Sequence, residues 1–192
     1  MPDELSKLFG SPARVKLLRL FLFNPRQSFT LPEAAARARV HGVEARKELR
    51  LFESIGLIAK STRGKGVRYT TVSAFPYLEG LKTLLLNAPA REGGIVRLLR
   101  GLGTMKLVIL SGIFLDDWDG VIDVLIVGDK IKERALREHI KRLEAEIGKE
   151  LRFAVLATDD FLYRLNMSDK LMRDVLDYPH RIVLDKLNIG IK

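Results

Sequence analysis

The chain contains no cysteine, which excludes disulfides and every thiolate-based metal or redox centre. Histidine is scarce. His41, His139 and His180 stand without a second ligand at metal spacing, so no metal site is assigned and no cofactor is expected. No serine can be traced to a histidine and an acid as a nucleophile–base pair. No apolar run approaches the ~20 residues of a membrane span. The stretch MPDELSKLFGSPAR has early acids and no apolar core, unlike a secretory signal. A cytoplasmic location is the expectation. Acids are scarce in one half only. Residues 1–90 hold 15 Lys/Arg against 7 Asp/Glu, whereas residues 91–192 hold 18 against 17. Nearly all of the net charge of +9 therefore belongs to the first half, which points that half towards a polyanion. The 192 residues, 47% of them apolar, suit two small domains with their own cores.

What is present begins with a predicted helix over residues 11–23. Ser11 is a good N-cap and Pro12 fits the first helical position. Val15, Leu18 and Leu22 form a stripe widened by Leu17 and Phe21, so a large face is buried. Asn24-Pro25 stops the helix. Thr30 and Glu33 have the spacing of a capping box and open a short alanine-rich helix. Val40–Val43 is a turn, with Gly42 supplying the permissive backbone and both valines expected to fill the core between helices. A second helix runs from Gly42 to Ile55. Ala45, Leu49 and Phe52 share its apolar face, while Arg46, Lys47 and Arg50 fall away from it. Gly56 ends this helix. Leu57–Ser61 and Val67–Val72 read as two strands around a basic turn, with Arg63, Lys65 and Arg68 at or near its tip. Tyr77–Asn87 is a helix with a Leu78, Leu81, Leu85 stripe, placed either at a dimer or domain junction or against its own domain. Ala88–Gly94 is the predicted domain boundary.

The second half alternates differently. Ile95–Leu102 is a short amphipathic helix. Met105–Leu110, Val121–Val127 and Leu151–Ala157 are apolar enough for buried strands. Ile131–Ile147 is a long amphipathic helix ended by Gly148. Asp159 or Asp160 is expected to cap one short helix and Ser168 another, and Pro179–Leu184 closes the domain as a strand. The order is that of an α+β fold. Asp116, Asp117 and Asp119 cluster before Asp123. A solvated acidic loop is the simpler reading and a divalent-ion site at Asp117, Asp119 and Asp123 the other. Trp118 among them is expected to be a half-buried anchor.

Residues 8–74, through LFGSPARVKLLRLFLF, TLPEAAARARVHGVEARKELRLFESIGLI and AKSTRGKGVRYTTV, resemble a winged helix–turn–helix domain. The run LRLFESIGLIAK is similar to the recognition-helix exit of many bacterial and archaeal winged-helix regulators. The resemblance implies a recognition helix in the DNA major groove and a wing on the backbone or minor groove. Arg46 and Arg50 are then the candidates for guanine edges. Lys47, Arg63, Lys65 and Arg68 would hold phosphates, with Arg37 and Arg39 adding contacts. Glu44 would accept from a cytosine amino group or serve the helix dipole.

The segment KLVILSGIFLDDWDGVIDVLIVGD is similar to the core of a minimal nucleotidyltransferase domain, as is LRFAVLATDDFLYRLNMSDKLMRDVLDYPHRIVLD downstream. That family carries a Gly-Ser turn for phosphate and acids on two core strands for Mg²⁺. Here Ser111-Gly112 precedes Ile113, Phe114 and Leu115, and Val121 stands at the first acid position. Only Asp123 remains, because Leu151-Arg152-Phe153-Ala154 offers no carboxylate. The resemblance thus implies the fold without the transferase activity. The expected protein is α+β: a winged helix–turn–helix domain (1–90), then a nucleotidyltransferase-like domain with a small mixed sheet (91–192). It would be a transcription regulator that binds double-stranded DNA and is not an enzyme. Its second domain would dimerise, sense a small-molecule or nucleotide effector, or both. Ile113–Leu115 and Tyr77–Asn87 are the candidate dimer surfaces. The alternatives are a nucleotidyltransferase targeted by its winged helix, and a winged helix that binds another protein.

Overall fold

The computed structural model describes residues 4–62, 66–86, 95, 99–115 and 117–190. Among these the fold is α+β, with eight α-helices and two small sheets. The chain divides into two units, residues 1–89 with 141–150, and residues 90–140 with 151–192. The boundary predicted at Ala88–Gly94 and most of the helix predicted from Ile95 lie outside the described residues. No helix among the described residues is long and apolar enough to cross a membrane.

The first unit is built around α2 (Pro12–Leu22), preceded by the short α1 (Glu4–Leu8). The Ser11 hydroxyl accepts from the Arg14 N–H and Pro12 occupies the first turn, as the sequence predicts. Val15, Leu17, Leu18, Leu20, Phe21 and Leu22 are all buried. A helix apolar nearly all round is one enclosed on several sides. Those sides are covered by α3 (Leu31–Ala38), α4 (Gly42–Ser54) and α5 (Leu78–Leu86). Thr30 and Glu33 form the reciprocal capping box at the start of α3. Gly56, at φ 78°, ends α4, and the Leu57 N–H returns to the Phe52 carbonyl. In α5, Leu78 and Leu85 are buried, so this helix packs on its own unit.

The turn before α4 differs from expectation. Its left-handed residue is Arg39, at φ 51°, whose N–H reaches back to Ala35 and Ala36. Gly42 is simply the first residue of α4, and Val43 is 84% exposed rather than part of the core. The reversal is completed at the end of α3, so Val43 lies past it on the outer side of the first α4 turn.

The sheet of the first unit has β2 (Ile58–Ser61) and β3 (Arg68–Thr71) antiparallel, with the two-residue β1 (Ser28–Phe29) on the other side of β3. Two residues show no period, which is why sequence patterning misses β1. Phe29 meets Phe21 edge to face at 5.5 Å.

Arg19 and Asn24 are among the polar side chains buried inside this unit. Arg19 is 1% exposed, and its guanidinium donates to the Leu85 carbonyl at 3.3 Å and the Glu146 carbonyl at 3.0 Å. Asn24 donates through Nδ2 to Leu20 and Gly148 carbonyls, both at 2.7 Å. Gly148 has φ 82°, and a Cβ there would lie 2.5 Å from the Arg19 carbonyl carbon. No side chain fits that contact.

The second unit carries β4 (Thr104–Leu110), β5 (Val124–Asp129), β6 (Phe153–Leu156) and β7 (Arg181–Asp185) in the order β6-β5-β4-β7. β4 is antiparallel to β5 and β7, while β5 and β6 are parallel and joined through α6 (Glu133–Ile147). Leu107, Ile109, Leu125, Val127 and Leu156 form a core with Phe161 of α7 (Thr158–Asn166) and Met172 and Val175 of α8 (Lys170–Leu176). Val108, Val124 and Ile126 alternate with them and are buried too, so the two central strands are covered on both faces.

Several boundaries move. β5 starts at Val124, and Val121 is 61% exposed. The cap of α8 is Asp169, which accepts from the Met172 N–H, while Ser168 takes the left-handed conformation before it. Asp159 and Asp160 lie inside the first turn of α7, whose N-cap Ala157 has no side chain to offer. Its cap is supplied from a distance. The Thr158 N–H donates to Asp129 Oδ1 at 3.1 Å and the Thr158 hydroxyl to Oδ2 at 2.8 Å.

These Thr158 donors hold the Asp129 carboxyl below the ordinary carboxylate range. A folded-state value below the unfolded one gives stability that is complete above the unfolded value. That stability is lost as pH falls through the folded one. Asp129→Asn is expected to lower the melting temperature at neutral pH, with the difference from wild type shrinking on acidification. A pH series of thermal melts with a constant difference would remove Asp129 from the acid limb.

Candidate nucleic-acid interface

The apolar face of α4 is as predicted, with Ala45, Leu49 and Phe52 buried. Glu48 shares it and is buried as well, a residue sequence reasoning passed over. Its carboxylate accepts from Arg14 Nε at 2.7 Å and Nη2 at 3.4 Å, while Arg14 Nη1 donates to the Phe9 carbonyl at 2.9 Å. A buried carboxylate needs such a partner. The signal was its place three residues after Ala45 and four before Phe52, on the face that packs inward. The ion pair and the apolar residues together fix the rotation of α4 about its axis.

That rotation turns Arg46, Lys47 and Arg50 outward. All three are exposed, and none has an ion-pair or hydrogen-bond partner among the described residues. His41, Val43 and Glu44 extend the exposed surface to the start of the helix. Lys60 on β2 is also exposed without an ion pair among the described residues, a cation the sequence reading did not single out.

The other predicted contacts divide. Arg63 and Lys65 lie outside the described residues. Arg68 is engaged within its own unit. Its Nε donates to Ser28 Oγ at 2.8 Å, and Nη2 donates to the Ser28 carbonyl at 2.6 Å and Glu33 Oε2 at 3.0 Å. It braces β1 and β3 to the capping box of α3. The Thr30 N–H, then the Arg68 charge, hold the Glu33 carboxyl below its ordinary range. Arg37 pairs with Glu150 and lies 5.8 Å over the Phe29 ring, so it too is engaged. Arg39 is exposed.

In the second unit, the β4–β5 connection gathers the acids. Asp123 is 0% exposed, immediately before β5. Its Oδ2 accepts from Arg152 N at 2.8 Å and Nε at 3.0 Å, and its Oδ1 from Arg152 Nη2 at 2.8 Å and Ile113 N at 3.1 Å. Gly112, at φ 53°, lies so close that a Cβ would collide with the Asp123 carboxylate. The Ser111 hydroxyl donates to the Ile122 carbonyl at 2.7 Å. Asp117 Oδ1 accepts from Asp119 N at 3.2 Å and Gly120 N at 3.0 Å, closing an Asx turn. Asp123 first, then the charges of Asp117 and Asp119, raise the Arg152 guanidinium above its ordinary value. With four donors on Asp123, a divalent ion would have to displace Arg152 to reach it. No group of three possible ligands faces a common point among the described residues. Trp118 is half-buried. Ile113 is buried and Phe114 and Leu115 half-buried in a 3₁₀ turn (Gly112–Leu115). Comparison of the chain with protein-family models, with characterised proteins and with solved structures finds no match.

Proposed function

We propose that the chain is a DNA-binding transcription regulator, a winged helix–turn–helix domain joined to a nucleotidyltransferase-like domain without transferase activity. The observation that supports this best is the outer face of α4, where Arg46, Lys47 and Arg50 stand exposed and unpaired among the described residues. Behind them Ala45, Leu49, Phe52 and the Arg14–Glu48 pair hold the helix rigidly. A rigid helix with a cationic outer face meets the geometric need of major-groove reading. Arg46 and Arg50 carry the base contacts, where a bidentate guanidinium suits guanine. Lys47 holds phosphate, and Arg63 and Lys65 do so from the connection between β2 and β3. Arg68 is left out of this set because Ser28 and Glu33 already occupy it. A second copy of the chain would give two half-sites and the affinity that one such domain lacks.

The test is fluorescence anisotropy of the full chain on duplex DNA across a salt series. Binding is expected to weaken with salt at a slope of about −0.9 for each phosphate neutralised. Salt-insensitive binding, or none at low salt, would overturn the proposal. On a selected site, Arg50→Ala is expected to lose about 1–3 kcal/mol without a change in melting temperature.

A further inference from the structure

We infer that the second unit binds a small organic anion with an apolar body, in a cleft between β6, the first turns of α6 and the loop Gly128–Ile131. The cleft has a volume of about 640 Å³, within the ~300–1,000 Å³ of small-molecule sites. It runs along β6 from Phe153 and reaches the carboxyl ends of the parallel strands β5 and β6, where Gly128 and Asp129 end one strand and Leu156 and Ala157 the other. That crevice is where sheets with parallel strands commonly take ligands. Its loop Gly128–Ile131 is at the opposite end of β5 from Asp123, while Phe153 follows Arg152 directly.

The lining fixes the chemistry. Ala154 and Leu156 turn towards the core under α7 and α8, so Phe153 and Val155 turn to the other face and line the cleft. Both are only half-buried, on a strand at the edge of the sheet. With Ile131 and Leu136 they form an apolar wall. At the rim, Lys130 and Arg137 are exposed and have no ion-pair partner among the described residues. Two carboxylates, Asp129 and Glu133, also line the cleft and keep their charge, so Lys130 and Arg137 act by their position at the rim and not by net charge. Asp129 has both oxygens taken by Thr158, and Glu133 lies in the first turn of α6, where a negative charge serves the helix. An apolar wall beside two available cations is complementary to a hydrophobic molecule carrying a carboxylate, sulfonate or phosphate. The site is read without DNA and stands or falls separately from the regulator proposal.

The probe is anilinonaphthalene sulfonate, titrated into the full chain and followed by fluorescence. One saturable site per chain is expected. Decanoate should displace the dye, and decanol at the same concentration should not. Arg137→Glu is expected to weaken dye binding about tenfold or more. Lys130→Asn serves as the second variant, because asparagine tolerates the φ of 53° that Lys130 adopts. It should weaken binding without altering the melt. Equal affinity in both variants and wild type, or equal displacement by decanol, would overturn the inference.

Discussion

Replacing Arg19 with alanine is expected to destabilise the protein by about 3–5 kcal/mol, seen as a lower denaturant midpoint at unchanged slope. Arg19 is almost wholly buried on α2, in an otherwise apolar helix. Its guanidinium donates to Leu85, in the last turn of α5, and to Glu146, in the last turn of α6. Both acceptors belong to helix ends, where carbonyls lack intrahelical donors and the dipole is negative. The position therefore suits a cation whose burial would otherwise be costly. Alanine would remove these bonds, leave two carbonyls short of a donor and open a cavity in the centre of the first unit. Arg19→Met separates the contributions, because methionine keeps much of the volume and no donor. A loss near that of alanine would assign the effect to hydrogen bonds and charge. A methionine variant as stable as wild type would assign it to packing.

The second large effect is expected from Arg152→Ala. It would leave the fully buried Asp123 with only the N–H groups of residues 113 and 152. Breaking a buried ion pair by removing one partner costs ~3–5 kcal/mol. The Arg152 side chain is 39% exposed, so water screens part of the interaction and the low end of that range applies. In the Asp123→Asn background the same Arg152→Ala change should cost much less, because no uncompensated charge is left behind. Equal costs in the two backgrounds would mean that Arg152 contributes through its packing and not through the pair.

These two side chains also show where sequence patterning stops. The apolar positions of α2 and α4, the Thr30–Glu33 box, the Ser11 cap and the Gly56 stop were all legible, because each rests on spacing within one element. Arg19, Glu48 and Asp129 were not. Each is a polar residue whose partner lies far along the chain, and patterning within one element does not show that partner. The loss of Val121 from β5 and the shift of a cap from Ser168 to Asp169 are errors of one to three residues at element ends, where patterning is weakest. The outer cations of α4 were found because they oppose an apolar stripe. The partners of Arg68 were not legible, because proximity to a basic turn says nothing of Ser28 and Glu33, which the fold brings to it.

The grouping of residues 141–150 with residues 1–89 bears on the order in which the chain is made. Translation delivers α2 to α5 first, yet Arg19 and Asn24 must wait for the carbonyls of Glu146 and Gly148. At about 5–20 residues per second, that wait lasts seconds on the ribosome. During it, the first unit has a buried cation and a buried amide short of their acceptors, and the groove that Gly148 fills stands open. Most of the second unit is synthesised in the interval. The buried polar contacts around α2 are therefore completed only after the nascent chain has passed residue 148, when most of the protein exists.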